Sequence, residues 1–472
     1  MRALPGIRRG GVATALVLAA LGASGGRAAA QRTVYEADGA LNVGYNQTTR
    51  PVFTGDGTPE QRDIRDSSIA GWFTEIRPGI TVSTGSPRLS WRFGYHFSAN
   101  IRFADTSSTS TMGEETPPGQ EPMQGAAAAD SDRQTVAYSN FADVALSAAL
   151  TPYTTLGATG AFTQGGTSFL LSAQPAEMGR PEIRAPGNPS TISGSLTESL
   201  AWEIGRQWTL QQVLGGNVNA PQNDFKKRNS ELHGSLALER GWVRDTAGLE
   251  VRSSVSWLRP LIKGTHVYKS VTNGLMARWN HDFTYSWNAA INAGVEQVYT
   301  GTGSEPLAFL PSGGANVRYT VGDIVASLSF THGTATNLQV GSISLADELT
   351  ARGVINIDAD KGRSLAFSGG FLHNEPLGEV SSVVTAGTGN ALQGDASFST
   401  MIARNVFGSL RYSVAYQYGQ AGSLGATLAH VILLGVTATY NNAPPDRRPM
   451  PGRGVRVDQG DGFPVVNETP TP

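Results

Sequence analysis

The chain has 472 residues, 36 Lys+Arg against 38 Asp+Glu, 39% hydrophobic residues, 57 glycines and no cysteine. The missing cysteines exclude structural disulfides, thiolate metal sites and a lipid-anchored cysteine, and a balanced charge without a basic patch excludes a nucleic-acid binder. No run of 18 apolar residues is present to form a transmembrane helix, and low hydrophobicity with abundant glycine suits an interior of water rather than packed core.

Residues 1–30 read as a secretory signal. Arg2, Arg8 and Arg9 form a basic start, residues 12–21 an apolar stretch too short to span a bilayer, and Ala28 and Ala30 a small-residue cleavage pattern. Cleavage after Ala30 starts the mature chain at Gln31. It removes Arg2, Arg8, Arg9 and Arg27 and no acid, leaving 32 bases, 38 acids and a charge of −6.

Alternation begins at Leu41, Val43 and Tyr45 and is clearest on both sides of Gly85-Ser86-Pro87. Before that turn, Trp72, Ile76, Ile80 and Val82 alternate with Glu75, Arg77, Thr81 and Ser83. After it, Leu89, Trp91, Phe93, Tyr95, Phe97, Ala99, Ile101 and Phe103 alternate with Ser90, Arg92, Gly94, His96, Ser98, Asn100 and Arg102. A strand sends successive side chains to opposite faces. This run is too long and too aromatic for an ordinary half-buried strand. A long hairpin with one wet and one oily face is the unit of a transmembrane β-barrel.

The pattern repeats to Tyr440, with short turns at 151–152, 205–207, beside Trp242, and at 280–284, 322–323, 360–362 and 404–405. Longer polar loops, such as 106–133 and 165–189, alternate with them. The fold expected over residues 31–440 is an all-β, antiparallel up-and-down transmembrane barrel of about 18 strands (16–20), its short turns periplasmic. Trp202, Trp208, Trp242, Trp279 and Trp287 lie near those turns, where indole rings meet the headgroups. Glu198 alone falls on the oily side of its strand, which a local slip or bulge would correct. Residues 441–472, rich in Pro and Arg, read as a disordered periplasmic tail.

Parity assigns the lumen-lining side chains: Glu75, Arg77, Arg92, His96, Arg102, Glu203, His233, Glu250, Arg252, Arg278, Asn292, Glu296, Arg318 and Arg411. Both signs occur, without the single-charge ring of an ion filter. The seven histidines show no metal spacing, no G-x-S-x-G elbow is present, and Asp458 and Asp461 lack a calcium-loop spacing. No enzyme, cofactor or metal site is expected.

The hairpin running from Phe73 through Gly85 to Tyr95 resembles the opening hairpin of bacterial outer-membrane β-barrel proteins, a likeness that extends over residues 31–440. An 18-strand barrel without a plug is similar to the barrels of composite polysaccharide-export systems. That resemblance implies a passive conduit for hydrophilic material, most directly an exported polysaccharide, with a periplasmic partner protein. General diffusion porins for small solutes, narrowed by one inward loop, are the alternative, and residues 106–133 are long enough to be that loop. A structural or adhesive barrel is the second alternative. An inward-folded segment favours the porin; a wide lumen favours polymer export.

Overall fold

In the computed structural model the described residues are 33–54, 63–86, 88–104, 136–165, 191–222, 224–259, 267–300, 308–338, 341–358, 361–377, 389–419 and 427–441. The signal, the 106–133 loop and the tail lie outside them. Eighteen strands form one sheet: β1 (Thr33–Thr54), β2 (Asp63–Gly85), β3 (Leu89–Ala104), β4 (Val136–Thr151), β5 (Thr154–Gly165), β6 (Thr191–Glu203), β7 (Trp208–Pro221), β8 (Asn229–Gly241) and β9 (Asp245–Leu258). The series continues with β10 (Tyr268–Asp282), β11 (Trp287–Thr300), β12 (Ala308–Val321), β13 (Ile324–Asn337), β14 (Ser342–Asp358), β15 (Arg363–Pro376), β16 (Gly389–Ala403), β17 (Val406–Gly419) and β18 (Thr427–Asn441).

Every strand pairs antiparallel with its chain neighbours, and β1 pairs with β18 from Glu36 opposite Asn441 to Thr49 opposite Leu428. The sheet is a closed ring with no free edge. The short turns stand where the sequence places them. Gly322 (φ 53°), Gly362 (φ 56°) and Asn405 (φ 65°) supply the left-handed residue that tight hairpin turns need.

Alternate residues divide into two faces. Leu41, Ile76, Leu249, Ile291 and Leu434 are among the large apolar side chains left exposed on the outside. The girdle at the short-turn end holds Trp202, Trp208, Trp242, Trp279 and Trp287, all partly exposed. There the Arg240 guanidinium stands 5.7 Å from the Trp208 ring centroid and 5.1 Å from that of Trp242. Trp72, Phe103 and Tyr138 mark the opposite rim. An apolar wall between two aromatic belts, on a closed barrel, defines a protein of the bacterial outer membrane.

Glu198 needs no slip. Its register is continuous on both sides, opposite Ala158 on β5 and Leu214 on β7, so its side chain is on the outer face. The expected bulge is absent from β6.

The two faces make one prediction. Ile291 faces lipid and the next residue, Asn292, faces the lumen. Ile291→Arg should cost roughly 2–4 kcal/mol of barrel stability, and Asn292→Arg far less. Urea unfolding in micelles, followed by heat-modifiable gel mobility, compares the two; equal losses would contradict the facing.

Candidate functional site: the lumen and an inward-folded hairpin

The lumen face is built from charges that neutralise one another. Arg278 Nη1 lies 3.0 Å from Glu239 Oε1, and its Nε 3.8 Å from Glu250 Oε2. Arg411 donates to Asp395 Oδ1 through Nε (3.1 Å) and Nη2 (2.7 Å), and the Ser413 hydroxyl donates to the same oxygen. Glu75, only 5% exposed, accepts from Asn42 Nδ2 and Ser98 Oγ, both at 2.8 Å. Long lumen side chains lie flat where the neighbouring strand has glycine. A Cβ on Gly215 would stand 2.3 Å from His233 Nε2, and one on Gly79 would stand 2.2 Å from His96 Nδ1.

The pairing of β12 with β13 stops short. β12 and β13 pair only as far as Gly313 opposite His332, whereas β11 and β12 stay paired to Ala308. Pro311, which has no N–H for a ladder, lies in the stretch of β12 left without β13. Beyond His332, β13 stays with β14 alone, down to Asn337 opposite Ser342. This end of β13, laddered to β14 and through it to β15 as far as Ser344 opposite Pro376, crosses the lumen face of its other neighbours.

Five contacts fix its course. The Thr334 backbone N–H (2.9 Å) and hydroxyl (2.8 Å) both donate to Glu296 Oε2 on β11. Ser312 Oγ on β12 donates to the His332 carbonyl at 3.1 Å. The Thr336 hydroxyl meets Ser256 Oγ on β9 at 3.3 Å. At the tip, Asn229 Nδ2 on β8 donates to the Leu338 carbonyl at 2.7 Å, while its Oδ1 accepts the Arg259 N–H at 2.6 Å. Gly341 (φ 73°) passes so close that a Cβ would stand 2.2 Å from the Arg259 carbonyl oxygen.

Glu296 and Ser256 occupy the face opposite the exposed Val295, Leu249 and Val251, so these contacts are inside the barrel. Glu296 is 2% exposed. Its other oxygen accepts from Arg252 Nη2, which also donates to Ser312 Oγ at 2.7 Å. One carboxylate thus holds a wall arginine and the crossing hairpin together. On the same side Leu258, Met276 and Val298 point inward and are fully buried, so the wall there is covered rather than wet.

By register the fourteen positions read from parity alternate along their strands with the exposed apolar residues. Arg102 does so by register, opposite Phe73, its side chain lying outside the described residues. The fold brings Arg252 to Glu296 and Arg278 to Glu250, and leaves Arg92 and Arg318 exposed on separate strands. Sequence reading passed over Glu239 and Asp395, which the same parity marks, and the hairpin itself. Pro311, the Gly313-Gly314 pair and Gly341 were its local signals.

No protein-family model matches the chain, and no curated protein matches it in sequence. Solved structures, among them outer-membrane proteins, match over most of its length. Acinetobacter baumannii OccAB4 covers 86% of this chain and 98% of its own, at 10% identity and TM-score 0.38. Pseudomonas aeruginosa OccK9 (OpdG) covers 86% and 98%, at 11% identity and TM-score 0.37. A BenF-like porin from Pseudomonas fluorescens Pf-5 covers 86% and 99%, at 11% identity and TM-score 0.36.

The buried carboxylate is testable. Arg252→Ala should destabilise the hairpin, because Glu296 then stays buried without its cation. The expected loss is up to about 3 kcal/mol, at the low end for a buried pair because the Arg252 side chain is 36% exposed. Removing both partners should cost less than removing Arg252 alone. Limited proteolysis within residues 334–344 reads the release; unchanged protection in Arg252→Ala would refute the anchoring role.

Proposed function

We propose that this barrel is a passive, non-enzymatic diffusion channel for small hydrophilic solutes across the outer membrane. The observation that carries the reading is the β13–β14 hairpin, which spends lumen cross-section and is held there by a dedicated set of bonds. A conduit for a polysaccharide would need the cross-section that the hairpin removes. No observation favours a periplasmic export partner, and among the described residues the element that narrows the lumen is a wall hairpin; the 106–133 loop considered from sequence lies outside them.

Paired charges on the lumen face support weak selection by sign. A solute meets hydrogen-bonding groups and neutralised ion pairs, with many shallow contacts and no deep trap. Removing one member of a pair exposes the other to the pore.

Two measurements test this. In planar bilayers, replacing residues 335–343 by a short glycine turn should raise single-channel conductance several-fold, and liposome swelling should extend to larger sugars. An unchanged conductance and cut-off would overturn the constriction. In a KCl gradient the native channel should reverse near zero potential, and Arg278→Gln should shift the reversal towards cation preference, since Glu239 and Glu250 lose their shared cation. A native channel already strongly selective for one sign would contradict the paired-charge reading.

A further inference from the structure

The outer wall of β5–β9 departs from a lipid-facing surface in two ways. Glu198 and Gln212 both stand on it, Glu198 opposite Ala158 and Leu214, Gln212 opposite Leu200 and Leu236. Neither has a side-chain hydrogen bond or ion pair among the described residues. Glu198 is four positions along the strand from the girdle residue Trp202. At roughly 3.4 Å per residue and a tilt of about 40°, that places it about 10 Å above the tryptophan belt, inside the apolar band. Ionisable groups at that depth are rare, and face protein or water rather than lipid.

The second departure is shape. Gly160, Gly194, Gly216 and Gly234 alternate with Leu196, Leu214 and Leu232 on this face. A shallow groove of about 450 Å³ runs over Gly194 and Gly216, and another of about 520 Å³ over Gly234. Glycine grooves between leucine ridges let a second protein surface approach closely in a membrane.

The two polar groups are complementary and close in depth. Gln212 pairs with Leu200, so it stands two residues nearer the short turn than Glu198, a step of roughly 5 Å in depth that two extended side chains can span. In a membrane, identical copies related by a two-fold axis share one orientation, so only groups within side-chain reach of one another in depth can meet across it. An axis along the membrane normal between β6 and β7 sets each Glu198 against the partner copy's amide at position 212. A two-fold contact is self-complementary in this way: i meets j and j meets i. Glutamine N–H groups then donate to both carboxylates, and both leave the lipid.

We propose that the outer face of β6 and β7 is a two-fold interface with a second copy of this chain, specified by reciprocal Gln212 to Glu198 hydrogen bonds. The chain has no cysteine, so single cysteines report contacts cleanly. Leu200→Cys, beside the axis, should give a disulfide-linked dimer on mild oxidation of outer membranes. Leu349→Cys, exposed on β14 across the barrel, should not. Light scattering of the purified protein in mild detergent should give twice the protomer mass for wild type and Glu198→Gln. Glu198→Leu should give the monomer mass while keeping its heat-modifiable folded band. A monomeric or trimeric wild type, a cross-link from Leu200→Cys to another polypeptide, equal cross-linking by Leu349→Cys, or a Glu198→Leu variant that stays dimeric would each overturn the proposal.

Discussion

The constraint on which this structure depends is that a bilayer core offers no water to backbone N–H and C=O groups. Each strand must be paired on both sides, so the sheet must close, and β1 meets β18 along most of its length. Closure fixes the rest. Once each strand is tied to two neighbours in a set register, side-chain parity is no longer free, and every second residue belongs either to lipid or to the lumen. The aromatic belts, the charged interior and the left-handed turn residues at Gly322, Gly362 and Asn405 all answer to that one requirement.

The same requirement shows what the interruption between β12 and β13 costs. Where β13 turns inward, part of the ring ladder is given up, and the departing strands carry backbone groups into the lumen. Glu296 takes the Thr334 N–H, Ser312 covers the His332 carbonyl, and Asn229 takes the Leu338 carbonyl. These are the substitutions expected when polar backbone leaves a sheet but stays buried. Burying Glu296 is tolerable because Arg252 shares the site, and the pair then fixes geometry more than it adds stability. A wall hairpin anchored in this way is a stiffer constriction than a surface loop, since β14 still continues into the ring through β15.

Parity made the barrel legible in the sequence. Leu89 to Phe103 and Trp72 to Val82 show the period of two without ambiguity, and Gly85, Gly322 and Asn405 announce their turns. Strand number and the alternation of polar with exposed apolar residues follow from the same rule. The hairpin was not legible, because its bonds join residues distant in sequence: Thr334 to Glu296, Asn229 to Leu338, Ser256 to Thr336. Nothing local in β13 distinguishes a strand that stays in the wall from one that bends inward. Pro311 and Gly341 mark the break only once the register is known. The partners of Glu75 and Asp395 were hidden for the same reason, each donor coming from another strand.

Two glutamates on this wall show how much facing decides. Glu296 and Glu198 are the same residue in strands of similar length, and periodicity treats them alike except for parity. Glu296 points inward and meets an arginine from β9 and the hydroxyl and backbone N–H of Thr334 from β13, so its charge is matched within the chain. Glu198 points outward to Ala158 and Leu214, where the sheet has no donor to offer. A barrel wall is one residue thick, so a polar group on its outer face cannot borrow a partner from the inside. Whatever satisfies Glu198 must therefore come from beyond its own sheet. An apparent error of patterning is thus a statement about the surroundings of the barrel rather than about its fold.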